Sequence, residues 1–221
     1  MAESTRQRQK LQTREKILQA ARLLMADGRG LDSLGLREVA RQASLAPPSL
    51  YNHFPDMEAL GLALIDVACF NLRSAMAKER RSMLEIGADQ AIADLVDRFQ
   101  HYIWAHEVDF RLVVQQRLGP NPRFRRRIQN ELKLLINELE EDIQSAVAAQ
   151  NRPAVPAREE AEGAVAIMFG VGISMLGLAR EKQVRMGQEA KNQLSMLVLG
   201  GRCIADGYTL SGTGRVQRVL S

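Results

Sequence analysis

Apolar residues recur along this chain at helical spacing, and almost nowhere at the alternation that a half-buried strand requires. Ile17, Ala20, Ala21 and Leu24 form the first stripe, with Thr13 placed to cap that helix and Gly28 and Gly30 to end it. Leu36, Val39, Ala40 and Ala43 form the second, while Arg37, Glu38, Arg41 and Gln42 fall on its wet side. After a break at Ala43-Ser44-Leu45, Pro47-Pro48 opens a short helix, because a missing N–H costs nothing in the first turn and proline presets φ. Leu50 and Phe54 give it one apolar seam, and Ser49, Tyr51, Asn52 and His53 occupy its other faces. A helix capped by Asp56 carries Leu60, Leu64, Val67, Ala68, Leu72 and Ala75 to about Lys78.

The second half repeats the theme. Ile92, Leu95, Val96, Phe99 and Ile103 predict a helix from Asp89 to near Ala105, and a short segment covers Glu107–Leu118. Gly119-Pro120-Asn121-Pro122 is a break. A long helix follows with Phe124, Ile128, Leu132, Leu135, Leu139, Ile143 and Ala146, then a loop from Asn151 to Pro156. The last two helices fall near Arg158–Lys182 and Gly187–Tyr208, and a Ser/Gly/Thr-rich tail predicts looseness from Thr209. The fold class is all-α.

Charge adds a direction. The net charge is +4; residues 1–55 hold nine Lys/Arg against five Asp/Glu, leaving twenty-one of each in 56–221. The whole surplus therefore sits at one end, which favours nucleic acid over an acidic small substrate, with a solvated basic tail as the bland alternative. Arg6, Arg8 and Lys10 make residues 1–12 a basic arm for phosphates or the minor groove, unless it is only a solubilising tail. Cys69 and Cys203 fit no disulfide or metal spacing and read as core filler. Met1–Gln12 has no apolar core, so no signal peptide is expected. The longest apolar run, Ala164–Ala179, falls short of a bilayer span of about 20 residues, so the expectation is a cytoplasmic protein with no membrane partner.

Catalytic chemistry is hard to place. The sequence has no Gly-rich phosphate loop, nucleophile elbow or zinc spacing. His101 and His106 diverge by about 140° on a helix, and Asp97 with His101 reads as a helix-surface pair. We expect no enzyme activity, catalytic residue, metal or cofactor. The short helix after Pro47-Pro48 is better explained by helix-turn-helix docking, since it is seated by two apolar residues and presents donors and rings. Ser49 and Asn52 suit base edges, Tyr51 and His53 suit phosphates, Pro47 and Pro48 suit thymine methyls, and Arg37 is the best-placed single cation.

Leu36-Arg37-Glu38-Val39-Ala40, Ser49-Leu50-Tyr51-Asn52-His53-Phe54, Asp56 and Leu60 together resemble the DNA-binding domain of tetracycline-repressor-type (TetR) regulators, over roughly residues 12 to 62. Gly35 stands where that family commonly has Thr, Ser44 where it has Gly, and Met57 where a phosphate-binding Lys is common. The resemblance implies a three-helix helix-turn-helix domain at 1–55, a ligand-binding and dimerisation domain at 56–208, and a loose tail at 209–221. It also implies a homodimer on a pseudo-palindromic double-stranded DNA operator, joined through the last two helices. Gly163, Gly170, Gly172, Ser174 and Gly177, with Leu194, Leu197, Val198 and Ile204, are the candidate seam, ordinary intrachain core being the alternative.

An aromatic and aliphatic set, Phe99, Tyr102, Ile103, Trp104, Phe110, Val113, Phe169 and Ile173, is the candidate lining of an effector pocket. Ala46-Pro47, Glu58-Ala59-Leu60-Gly61-Leu62, Phe110-Arg111-Leu112, Gln116-Arg117-Leu118-Gly119 and Phe124-Arg125 further resemble the branch that represses unsaturated-fatty-acid synthesis (FabR/DesT-like). That branch implies a long-chain acyl-CoA or acyl carrier protein thioester as effector, with Arg117 and the Arg123–Arg127 run near its phosphates; a solvated helix face is the alternative for that run. Three other readings stay open: a sensor of apolar drugs controlling efflux, an acyl-binding enzyme or carrier, and an architectural DNA-binding protein without a ligand.

Overall fold

The computed structural model describes residues 2–81, 87–210 and 215–218, and among them the chain is helical apart from one terminal hairpin. The helices are α1 (Ala2–Ala26), α2 (Leu36–Gln42), α3 (Pro47–Tyr51), α4 (Met57–Arg81), α5 (Ala88–Ala105), α6 (Glu107–Leu118), α7 (Pro122–Ala149), α8 (Ala157–Met175) and α9 (Arg180–Ala205), with a 3-10 turn at Leu31–Ser33. Strands β1 (Tyr208–Leu210) and β2 (Val216–Arg218) pair antiparallel with Thr209 opposite Gln217. A hairpin thus occupies part of the segment expected to be a loose tail; residues 211–214 and 219–221 lie outside the described residues.

The chain divides into two compact units. The head comprises residues up to Phe70 together with His106–Gln129, and the body comprises Asn71–Ala105 and the chain from Asn130 onward. The division does not coincide with the expected boundary at residue 55. The reason is visible in the head's core, which draws on more apolar surface than α1, α2 and α3 supply. Ile17, Val39, Leu50 and Phe54 are buried there, and so are Leu60 and Leu64 of α4 and Phe110 and Leu112 of α6. Arg22 on α1 donates from Nε to Asp109 Oδ1 on α6 at 2.7 Å, and Arg111 donates to the Met25 carbonyl. At the α6–α7 turn, Asn121 Oδ1 accepts from the Arg123 N–H and caps α7.

Two local features bear on the site. The first helix starts at Ala2 rather than at Thr13, and the Thr13 hydroxyl donates to the Gln9 carbonyl one turn back instead of capping. Ser44 adopts φ +52, with Leu45 N–H donating to the Ala40 carbonyl (2.9 Å) and Ser44 N–H to Arg41 (3.0 Å). That is a Schellman ending with a serine at the left-handed position usually held by glycine, as the departure at residue 44 requires.

In the body, α9 packs against α8 and α5. It begins at Arg180, not Gly187, because Gln183 belongs to the core. Gln100 donates to the Gln183 carbonyl (2.7 Å), Gln183 donates to the Met175 carbonyl (2.9 Å), and the Trp104 indole N–H donates to the Gln183 side chain. Gly187 leaves room for this cluster, since a Cβ there would lie 2.2 Å from Gln100 Nε2. Gly177, at φ +72, separates α8 from α9 where a continuous helix was expected. The longest apolar helix is α4, not the 164–179 run: Met57–Ala77 has mean hydropathy 1.4 and enough length to cross a membrane. Half of it is buried, and it carries Asp66 and Arg73, each ion-paired to α7, so we read it as a core helix.

Candidate nucleic-acid interface and body cavities

The interface is built on α3. Ala46 enters in extended backbone, Pro47 and Pro48 fill the first turn, and Leu50 N–H bonds back to Ala46. Leu50 is 0% and Phe54 1% exposed, so the apolar seam is fully used in seating the helix. What remains faces outward: Pro47, Pro48, Asn52 and Tyr51 are exposed, while Ser49 and His53 are half-buried. The regular helix ends at Tyr51, so Asn52 and His53 sit in its closing turn rather than on its shaft. Arg37 is exposed on α2, and Glu38 is taken up by Arg29 through Nη2–Oε2 at 3.0 Å, a bond that holds the carboxyl below its usual range.

Cations gather beside this surface. Arg6, Arg8 and Lys10 are exposed on the first turns of α1, which makes the expected basic arm a helical one. Lys10, Gln9 and Thr13 line one open concavity with Asn52 and His53. Arg14 lies over the Phe54 ring at 4.3 Å. Burial, then the charges of Lys10 and Arg14, hold the His53 pKa below its ordinary 6.5, so near neutral pH the ring is uncharged. Sequence reasoning listed Lys10 with the arm but missed that one concavity would join it to Asn52 and His53. Its spacing on α1, three residues before Thr13, was the available signal.

The candidate effector residues do not gather into one lining. Phe99 and Phe169 meet in the body, at an apolar cavity of about 50 Å³ walled by Leu72, Met76, Leu95, Leu135, Leu139 and Met168 among others. Tyr102 and Ile103 are buried, but elsewhere in the core. Trp104 is engaged with Gln183, under Arg180 at 5.2 Å and edge-on to His101 at 4.9 Å. Ile173 is a correction: it is 42% exposed, because α8 turns that face away from the body's core. Phe110 and Val113 are buried within the head and Arg117 is exposed there. The Arg123–Arg127 run mostly serves α4 and the turn before its own helix: Arg123 pairs with Glu58, Arg125 donates to the Gly119 and Pro120 carbonyls, and Arg127 pairs with Asp66.

Arg80 was missed. It lines the same cavity, 5% exposed, with Nε to Asp142 (3.0 Å) and Nη2 to Glu138 (2.7 Å), while Nη1 is buried without a hydrogen bond to any described residue. Leu72, Met76 and Arg80 follow one another at steps of four, so the stripe itself pointed inward at position 80.

The outward faces of α8 and α9 are apolar and small. Met196, Leu199, Cys203 and Ile204 are exposed on α9, and Ala166, Gly170 and Ile173 on α8. An added Cβ at Gly170 or Gly200 would meet nothing within 4 Å. Cys203 is therefore no core filler, and Leu194, at 3% exposure, is intrachain core rather than seam. Asp97 pairs with Lys191 at 2.8 Å, and His101 bonds the Asp97 backbone carbonyl instead of its carboxylate. Among the described residues, no group of three or more His, Cys, Asp and Glu is placed to hold a metal ion.

Comparison with known proteins agrees with this geometry. Residues 17–64 match the family model for bacterial regulatory proteins of the tetR family. GusR of Salmonella enterica superposes with a TM-score of 0.71 at 22% identity, covering 86% of this chain and 96% of that one. FadR of Thermus thermophilus, a TetR-family transcriptional repressor solved with lauroyl-CoA, superposes at 0.61 and 19% identity, over 85% of this chain and 94% of its own. SmeT, solved with triclosan, superposes at 0.64 and 15% identity, over 85% and 90%. Residues 17–64 of this chain are thus similar to the tetR-family N-terminal domain, and the chain has the fold of these solved regulators.

Proposed function

We propose that this protein is a ligand-responsive regulator of transcription, acting as a repressor that binds a pseudo-palindromic operator as a homodimer. The observation that carries the reading is the division of labour on α3. Leu50 and Phe54 are spent entirely on packing, while Pro47, Pro48, Tyr51 and Asn52 face outward beside Arg37, Lys10 and the half-buried Ser49 and His53. In this reading Ser49 and Asn52 meet base edges, and Tyr51, His53 and the arm cations Arg6, Arg8 and Lys10 meet phosphates. Two-fold symmetry would set the half-sites about one DNA turn apart. The exposed apolar stripes of α8 and α9 support a seam between copies, since monomers rarely leave contiguous apolar patches of that kind uncovered. Acting on DNA places the protein in the cytoplasm.

For the effector we favour a long-chain acyl thioester. A cavity walled by aliphatic and aromatic side chains and by the Arg80 side chain suits an alkyl chain ending in a carbonyl or anion. The lauroyl-CoA carried by FadR is the parallel; the triclosan carried by SmeT supports the second reading, an apolar drug sensed for efflux. A cavity of about 50 Å³ holds only a few methylene groups, so a long chain would have to part α5, α7 and α8. Calorimetric titration of the protein–operator complex with oleoyl- and palmitoyl-CoA against triclosan tests the assignment. Heat and a changed operator affinity with the thioesters support it, and a response to triclosan alone transfers it to the drug reading. Operator footprinting tests the DNA-binding proposal independently.

A further inference from the structure

The body contains a second cavity, of about 280 Å³, where the end of α7, the loop at 150–155, the first turn of α8 and the last turns of α9 come together. It shares no lining residue with the cavity at Phe99 and Phe169. Its walls are largely aliphatic, from Ile143, Val147, Val155 and Val198. The one deeply placed polar group is the Glu160 carboxyl, 5% exposed, whose Oε1 accepts no hydrogen bond from any described residue. Position 201 is made for that carboxyl: a Cβ there would stand 1.7 Å from Oε1, so only glycine lets the carboxyl lie against the backbone of α9. A carboxyl buried without donors is costly, and burial accordingly pushes its pKa up to about 7 against the pull of Arg202.

The remaining charges do not call for an ion. Once Glu160 has lost its proton, Arg152 and Arg202 are matched by Glu160 and Asp206 in the lining of the same cavity, two of each sign. A ligand with net charge would then find no excess of the opposite sign, whereas a hydrogen-bond donor on an apolar body would meet the Glu160 carboxyl and cover the aliphatic walls. We propose that this cavity is a separate ligand site for a small uncharged molecule, apolar in body and bearing a hydroxyl donated to the Glu160 carboxyl, of about the size of a bicyclic phenol.

Four naphthalenes differing in one substituent test this on the full chain by isothermal titration calorimetry: 2-naphthol, 2-methylnaphthalene, 2-naphthoate and 2-naphthylmethylamine. We expect 2-naphthol to bind at least about tenfold more tightly than the methyl compound and more tightly than either ion. Glu160→Leu should weaken 2-naphthol by about ten- to hundredfold, and Gly201→Ala, which evicts the carboxyl, by a similar factor. Glu160→Gln, which keeps a carbonyl acceptor, should stay within about threefold of the parent. Far-UV dichroism establishes that each variant is folded. Absence of binding by 2-naphthol, tighter binding of either ion, or binding unchanged in Glu160→Leu overturns the proposal.

Discussion

Replacing Glu160 by glutamine should make the protein more stable, and only above mildly acidic pH. The folded chain holds the Glu160 proton up to about pH 7, against an ordinary carboxyl value of 4.5, because burial outweighs the attraction of Arg202. Between those two values the folded state binds more protons than the unfolded one, so stability falls as pH rises. Each tenfold difference in proton affinity corresponds to about 1.4 kcal/mol, and the shift from 4.5 to about 7 amounts to about 3 kcal/mol, fully felt above pH 7. Glutamine occupies nearly the same space and cannot ionise. The charged groups that share the cavity, Arg152, Arg202 and Asp206, are present in both proteins. Urea unfolding followed by far-UV dichroism, at one protomer concentration to hold any assembly term fixed, should give coincident midpoints near pH 4. The variant should move ahead by about 3 kcal/mol at pH 8, with m unchanged. Parallel curves across pH 5 to 8 would refute the reasoning, and a parent that gains on the variant at pH 8 would mean that Arg202 closes onto the carboxylate instead.

Four further outcomes follow from the head and the outer face. Tyr51→Ala should weaken operator binding about tenfold or more in fluorescence anisotropy while leaving the melting temperature within a degree or two, since the ring is 46% exposed. Leu50→Ala should instead cost about 2–5 kcal/mol of stability, measured by denaturant unfolding, because its side chain is fully buried. Operator affinity should rise as pH falls from 7 to 5.5 and lose that rise in His53→Gln: a phosphate favours the protonated ring that burial, Lys10 and Arg14 disfavour in the free protein. Leu199→Glu, on the exposed apolar face of α9, should shift sedimentation from dimer to monomer without loss of helicity.

The head was legible in the sequence because its signals are local. Two prolines open α3, one apolar pair seats it, and both act within a few residues of each other. Ser44, standing where the resembled family has Gly, takes the left-handed backbone that such a turn requires. The body was legible as helices but not as partners. Spacing placed Phe99, Tyr102, Ile103, Trp104 and Phe169 inward or nearly so, yet which of them share a cavity depends on how helices far apart in sequence meet. Gln183 illustrates the loss: its buried amide network lengthens α9 by two turns, and a glutamine in a polar stretch carries no periodic signal.

Periodicity carries more information when a charge interrupts it. Arg80 continues the steps Leu72 and Met76, and Glu160 stands beside Ala161 on the inward stripe that Ala164, Met168 and Gly172 extend. On an amphipathic helix such positions are reserved for apolar side chains, and a charge there must find a partner, change protonation or serve a ligand. Arg80 takes the first course with two of its nitrogens, through Glu138 and Asp142, and leaves Nη1 buried without a hydrogen bond to any described residue. Glu160 takes the second, holding its proton to about pH 7. Each leaves one buried polar atom unsatisfied beside a cavity, and those cavities share no lining residue. On the two proposals above, the body would answer to two different molecules, one meeting a donor at Arg80 and the other an acceptor at Glu160. Arg80→Met and Glu160→Leu should accordingly abolish different ligand responses rather than the same one.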